Sequence, residues 1–181
     1  MTHDFSEAAL LGDEIGVIQD GRVVQRGTAA QLAAAPAAPF VADFAGAVVL
    51  TGTARPAPGG LTRIDLDGGG TIASVDAGAG PVAVSVFPWE ISIAPAGTRD
   101  DGSARNHLDA HVVSVTPVAN RVRVGLLAGQ PLTAELTGPS AEALAVAPGT
   151  RVVATWKAAA TRVLPSSRAG TMEAWGTPSD T

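Results

Sequence analysis

Lys157 is the only lysine in the chain. A phosphate-binding loop of the GxxxxGK[ST] form needs a lysine directly after a glycine, so that its ammonium reaches the β- and γ-phosphates. Lys157 follows Trp156, so no such loop can be written on this sequence. It therefore argues against nucleotide hydrolysis. Gly68-Gly69-Gly70 lacks the lysine too and reads as a hairpin loop. His107 and His111 stand four apart, but a strand over 111–116 gives them no common helix face, so no metal site is expected. Arg121 and Arg123 alternate as on a solvated strand face. Cysteine is absent, which excludes disulfides, thiolate zinc sites and cysteine nucleophiles.

The elements that position these groups follow from composition. The 181 residues suit one medium domain or two small ones. An apolar fraction of 46% supports a core, and 21 glycines with 13 prolines favour many short strands over long helices. A net charge of −5 tells against nonspecific attraction to nucleic acid or anionic lipid. With no tyrosine, three tryptophans and four phenylalanines, there is little material for base stacking. No apolar run approaches the roughly 20 residues that span a bilayer. Residues 1–20 lack the basic start and apolar centre of a signal peptide. The expectation is a soluble, cytoplasmic chain without nucleic-acid partner, cofactor or direct membrane insertion.

Along the chain, Asp4 and Glu7 have capping-box spacing at the start of a helix over 4–12. Ile15 to Ile18 and Val23 to Gln25 read as strands around an Asp20-Gly21 turn. Thr28 and Gln31 repeat the capping-box spacing, and Phe40 to Phe44 form a further helical turn stopped by Gly46. From Ala47 to about Pro165 the texture becomes β. The predicted strands are 48–51, 61–66, 71–75, 82–87, 91–93, 111–116, 121–127, 132–136, 151–156 and 161–164. Ser140 is the predicted N-cap of a helix to Leu144. Short strands with glycine turns predict a mostly β fold with a small barrel. Four segments are expected: a short α/β segment at 1–46, a first β half at 47–102, a second β domain at 103–165 and a disordered tail at 166–181. Residues 97–102 read as the linker between the two β halves.

Two stretches carry a family resemblance. Thr2-His3-Asp4-Phe5-Ser6-Glu7-Ala8, the Asp20-Gly21-Arg22-Val23 hairpin through Gly27-Thr28 and Phe40-Val41-Ala42-Asp43-Phe44 resemble ABC transporter ATPases just after their Walker B strand. In that family the histidine at the position of His3 is the switch residue near the γ-phosphate. The likeness starts there, so the P-loop, signature motif and Walker B region would lie upstream. It implies a natural truncation or a misassigned start, with His3 vestigial. Ser103-Ala104-Arg105-Asn106, Val112-Val113-Ser114-Val115, Leu132 to Thr137 with Ser140, Gly149 and Lys157-Ala158 resemble the molybdate/tungstate-binding OB-like domain called Mop or TOBE. Phe87-Pro88-Trp89-Glu90-Ile91 resembles the strand that precedes this domain in importer ATPases.

The resemblance implies an oxyanion site of Ser103, Arg105, Thr137, Ser140 and Lys157, converging often across a subunit interface. The chemistry agrees, because a protonless tetrahedral dianion asks for donors only, and charge-assisted bonds contribute about 1.5–3 kcal/mol each. Three departures from the family pattern bear on it: Asp109 adds negative charge near the site, Pro139 removes a backbone donor between Thr137 and Ser140, and Ala159 after Lys157-Ala158 supplies no hydroxyl. The implied function is a regulatory module of a molybdate-type importer ATPase. It would be non-catalytic alone, form a homodimer, and partner ATPase and permease subunits at the inner face of the membrane. Three alternatives stay open: the C-terminal half of a split ATPase, a purely structural dimerisation domain, and an OB-fold binder of nucleic acid or sugar.

The chain alone is expected neither to bind ATP tightly nor to hydrolyse it. A magnesium-dependent ATPase rate that survives repurification and disappears in His3→Ala would overturn this.

Overall fold

The structure, a computed structural model, describes residues 1–98 and 102–165. The middle of the predicted linker and the predicted tail lie outside the described residues.

The chain opens with α1 (Phe5–Leu11), β1 (Ile15–Gln19), β2 (Arg22–Gly27), α2 (Ala29–Ala34) and α3 (Pro39–Phe44). Asp4 caps α1 by accepting from the Glu7 N–H at 2.8 Å. The reciprocal half of the predicted box is missing, because the Asp4 N–H goes to the Thr2 hydroxyl, which in turn donates to the Glu7 carboxylate. Thr28 and Gln31 do form both halves of theirs at the start of α2. Ile15 and Val17 bury against Leu32 and Val41, with Phe5 set edge-on to Phe44. Leu10 and Leu11 remain 87% and 78% exposed.

The β region contains β3 (Val48–Ala57), β4 (Leu61–Leu66), β5 (Thr71–Ser74), β6 (Gly80–Val86), β7 (Ser92–Pro95), β8 (Asn106–Val118), β9 (Arg121–Leu127), β10 (Pro131–Thr137), α4 (Gly138–Ala143), β11 (Arg151–Trp156) and β12 (Arg162–Pro165). One five-stranded antiparallel sheet runs β5-β4-β3-β6-β12 and the other β10-β9-β8-β11-β7. Each half of the sequence thus lays down the same pattern. Its first four strands build one sheet, and its fifth, after a 3-10 turn, closes the edge of the other. Packing does not respect the break near residue 102, although the order of the chain does. A single core lies between the sheets, with Leu50, Ile64, Val84 and Ile91 from one half against Val124, Leu126, Ala154 and Trp156 from the other. The architecture is mostly β and OB-like.

Two strands are longer than their apolar runs predict, because each turns a barrel corner. β3 pairs with β6 through Val48–Ala54 and with β4 through Gly52–Ala57. Gly52 stands at that corner, where a Cβ would come within 2.4 Å of the Asp65 carbonyl. β8 pairs with β11 over Asn106–His111 and with β9 over His111–Val118, and a bulge at Val113 makes its bend. A bulge of this kind adds twist where a sheet must curl. The predicted cap of α4 is corrected: Thr137, not Ser140, is its N-cap, accepting from the Ser140 N–H at 3.3 Å. Pro139 falls in the first turn, where its fixed φ suits the helix and its missing N–H costs nothing, so the helix starts earlier.

The β1–β2 ribbon has two strands and a small core, and such ribbons are marginal unless packed. Hydrogen exchange is expected to show weaker protection over 15–25 than over 106–112. Equal protection in an isolated monomer would contradict this reading.

Candidate functional site

Asn106 opens β8 at an inward-facing position and pairs with Trp156, the last residue of β11. Arg105 immediately precedes this pair and Lys157 immediately follows it, both just outside the paired strands and both exposed. Like charges held near one another repel, and an anion between them removes the repulsion. Arg26, Arg55, Arg63, Arg121, Arg123 and Arg162 all meet carboxylates. Among the described residues, neither Arg105 nor Lys157 makes an ion pair. Ser103 is exposed two residues before Arg105.

A buried polar knot fixes this corner from below. The Asn106 amide accepts from the Ala73 N–H at 2.7 Å and donates to the Ala73 carbonyl at 3.1 Å. It thereby joins β8 of one sheet to β5 of the other. Its Nδ2 also donates to Thr161 Oγ1 at 3.1 Å, which accepts from Trp156 Nε1 at 2.9 Å as well. The Thr161 carbonyl accepts from Ser74 Oγ at 2.6 Å. Asn106, Thr161 and Ser74 are all 0% exposed. Between Trp156 and Thr161 runs a 3-10 turn in which the Lys157 carbonyl accepts from the Ala160 N–H at 3.0 Å. The backbone of each cation is thus adjacent to a knot residue, while both side chains are free to reach an anion.

The remaining predicted donors lie elsewhere. Thr137 pairs with Arg121, which pairs with Val118, at the far end of the thirteen-residue β8. An unbent strand of that length would run roughly 40 Å at about 3.3 Å per residue. Within one chain the five predicted residues therefore form two groups: Ser103, Arg105 and Lys157 at one end, Thr137 and Ser140 at the other. The Thr137 and Ser140 hydroxyls are 2.8 Å apart and bond to each other. Arg121 and Arg123 close on Glu135, at 3.7 and 3.0 Å, as a solvated strand face does. Asp109, expected near the site, lies opposite Val153 further along β8. His3 is exposed ahead of α1. Away from the corner, the Asp65 carboxyl is held below its ordinary value by the hydrogen bond from Arg63, aided by Thr71.

The sequence reading missed the knot. Its signal was an asparagine at an inward position of the alternation Asn106, Leu108, Ala110, Val112, where a polar side chain must find partners.

Residues 102–163 match the model of the TOBE domain. They are a TOBE domain. Over 169 residues the chain is 34% identical to the molybdate/tungstate import ATP-binding protein WtpC of Pyrococcus horikoshii, covering 91% of this chain and 46% of that protein. Over 69 residues it is 48% identical to the spermidine/putrescine import ATP-binding protein PotA of Thermobifida fusca, covering 38% of this chain and 18% of that one. The relatives are ATP-binding subunits of ABC importers, and the chain spans at most about half the length of the curated relatives it matches. Among solved structures, it is similar to a molybdate-bound crystal form of the cytoplasmic molybdate-binding protein ModG. The TM-score is 0.55 and the identity 25%, over 64% of this chain and 94% of that one. None of the helices among the described residues is long and apolar enough to cross a membrane.

Thr161→Val keeps the shape of the side chain but leaves Trp156 Nε1 and one Asn106 N–H without an acceptor. Each buried group so orphaned costs about 1–3 kcal/mol. Urea unfolding is expected to show a loss of about 2–4 kcal/mol, whereas Ser103→Ala stays within about 0.5 kcal/mol, as exposed substitutions do. A Thr161→Val protein as stable as wild type would remove the knot from its assigned role.

Proposed function

We propose that this chain is an oxyanion-binding regulatory module of an ABC importer ATPase, with molybdate or tungstate as its ligand and no catalysis of its own. The observation that carries the reading is that Arg105 and Lys157, two cations without carboxylate partners among the described residues, flank the paired Asn106 and Trp156 at one corner of a TOBE domain. The corner offers donors only, which suits an oxyanion that has no proton to give. The similarity to a molybdate-bound ModG and to a molybdate/tungstate importer subunit supports the same ligand class. Hydrogen phosphate is disfavoured at this corner, because its proton finds no acceptor there.

The separation of the donors shapes the rest of the proposal. Ser103, Arg105 and Lys157 of one chain meet Thr137 and Ser140 of a second copy, so the anion is held across a homodimer. Bound anion then favours one arrangement of the pair and reports its concentration to the importer, on the cytoplasmic side, through ATPase and permease partners. A second reading, the C-terminal half of a split ATPase, draws support from the exposed face of Leu10, Leu11, Ile18 and Val23. Such a face would be covered by an ATP-binding segment supplied from another chain.

Molybdate or tungstate is expected to raise the stability of the folded protein by about 2.7 kcal/mol at a hundredfold excess over its dissociation constant. Lys157→Ala or Arg105→Ala is expected to remove most of that gain without loss of fold. A Lys157→Ala chain mixed with a Thr137→Ala/Ser140→Ala chain should recover part of it, since a mixed dimer retains one intact site. A wild-type melting temperature unmoved by millimolar molybdate would leave the domain a structural dimerisation module. Binding without recovery in the mixture would place the whole site in one chain.

A further inference from the structure

A cavity of about 660 Å³ lies on the outer face of β8 and β11, and neither Arg105 nor Lys157 lines it. Such a volume is within the range of small-molecule sites, roughly 300–1,000 Å³. Its chemistry comes from His107, Asp109 and His111, alternate residues that share one face of β8, with Arg151 directly opposite His111 and Thr98 after β7. The sequence reading separated the two histidines because it began this strand at His111. Beginning at Asn106 instead, the strand sets both imidazoles and the carboxylate in one row.

This row has unmet demands. The Nε2 of His107 is buried without a hydrogen-bond partner. Among the described residues, Arg151 and Asp109 make no ion pair, although they are diagonal neighbours across the two strands. No group of three His, Asp or Glu side chains among the described residues is disposed to hold a metal ion. The fixed charge of Arg151 also opposes a cation there. An anion fits the guanidinium, the two imidazoles and the Thr98 hydroxyl. A protonless anion, however, would meet the Asp109 carboxylate as a like charge. An oxyanion that keeps one proton turns that repulsion into a hydrogen bond by donating to Asp109.

We infer that the cavity binds inorganic hydrogen phosphate: Arg151, His111 and Thr98 donate to its oxygens, His107 supplies a further polar contact, and Asp109 accepts its proton. Asp109 is then the residue that selects phosphate over sulfate and molybdate. The inference is independent of the ligand proposed for Lys157.

The test uses the chain at pH 7.5 and constant ionic strength, with inorganic phosphate and sulfate as probes. The chain has three histidines, and His3 serves as an internal control. Phosphate is expected to move the imidazole proton resonances of His107 and His111 and not that of His3, while sulfate at the same concentration moves none. Arg151→Gln should lower phosphate affinity about tenfold or more, the loss of one charge-assisted fork. Asp109→Asn should abolish the preference, so that sulfate and phosphate bind alike. Lys157→Ala should leave the phosphate response unchanged. Equal responses of wild type to the two anions, no response of His107 and His111 to phosphate, or loss of the response in Lys157→Ala overturns the inference. The wild-type resonances alone suffice to decide it should a variant fail to fold.

Discussion

The hydrogen bonds around Thr161 are the constraint on which the rest of the β region depends. Each half of the sequence gives its fifth strand away, so neither sheet is complete without the other half. Such an exchange needs a specific fastening where the chains of the two halves pass. Thr161 stands just before the exchanged β12 and accepts from Trp156 and Asn106 of the second half. Ser74 of the first half donates to its carbonyl, and Asn106 pairs in both directions with Ala73. Beyond it, Asp76 accepts from the Val163 N–H at 3.1 Å and from Arg162 at 3.2 Å, which pins β12 to the loop after β5. Apolar packing alone sets no register. A satisfied buried polar group does, because a shift of one residue would orphan it.

The repetition of one pattern makes the differences between the halves informative. In both, the fourth strand leads through a 3-10 turn into the exchanged fifth. In the first half that turn is Phe87-Pro88-Trp89-Glu90, and Phe87 stacks on Trp89 with ring centroids 4.3 Å apart. In the second half it is Lys157-Ala158-Ala159-Ala160. Equivalent places in the two halves therefore carry an aromatic stack and an ammonium. The same backbone device presents an apolar surface at one and a charge at the other. The second half also inserts α4 between its third and fourth strands, and Thr137 and Ser140 come with it.

Much of this was legible in the residues. Alternation gave most strands, and the single lysine pointed to the corner where the Asn106–Trp156 pair brings Arg105 near. Strand length was less legible, because β3 and β8 change partners midway, and β8 loses the plain in–out pattern past its bulge. The helix cap was less legible for a local reason: Thr137 and Ser140 can both cap, and Pro139 in the first turn is what lets the helix start at Gly138. The strand exchange could not be read at all, since β7 and β12 have the same composition whichever sheet they close. Nor does alternation tell that the five donors fall at two ends of a sheet. That depends on which end of β8 each neighbouring strand reaches.

Among the described residues of the β region, the cations without carboxylate partners, Arg105, Arg151 and Lys157, lie on or directly beside the strand pair of β8 and β11, in a chain whose net charge is −5. The other described arginines of the β region meet Asp65, Asp76 and Glu135. Leaving Arg105, Lys157 and Arg151 uncompensated costs attraction that nearby carboxylates would have supplied. It is consistent with charges reserved for anions that come and go. What separates the two places is the acceptor. The Arg105–Lys157 corner has none among its predicted donors, and the outer face has Asp109. Tetrahedral oxyanions of similar size and charge differ chiefly in whether they carry a proton, so one carboxylate, present or absent, is enough to tell them apart.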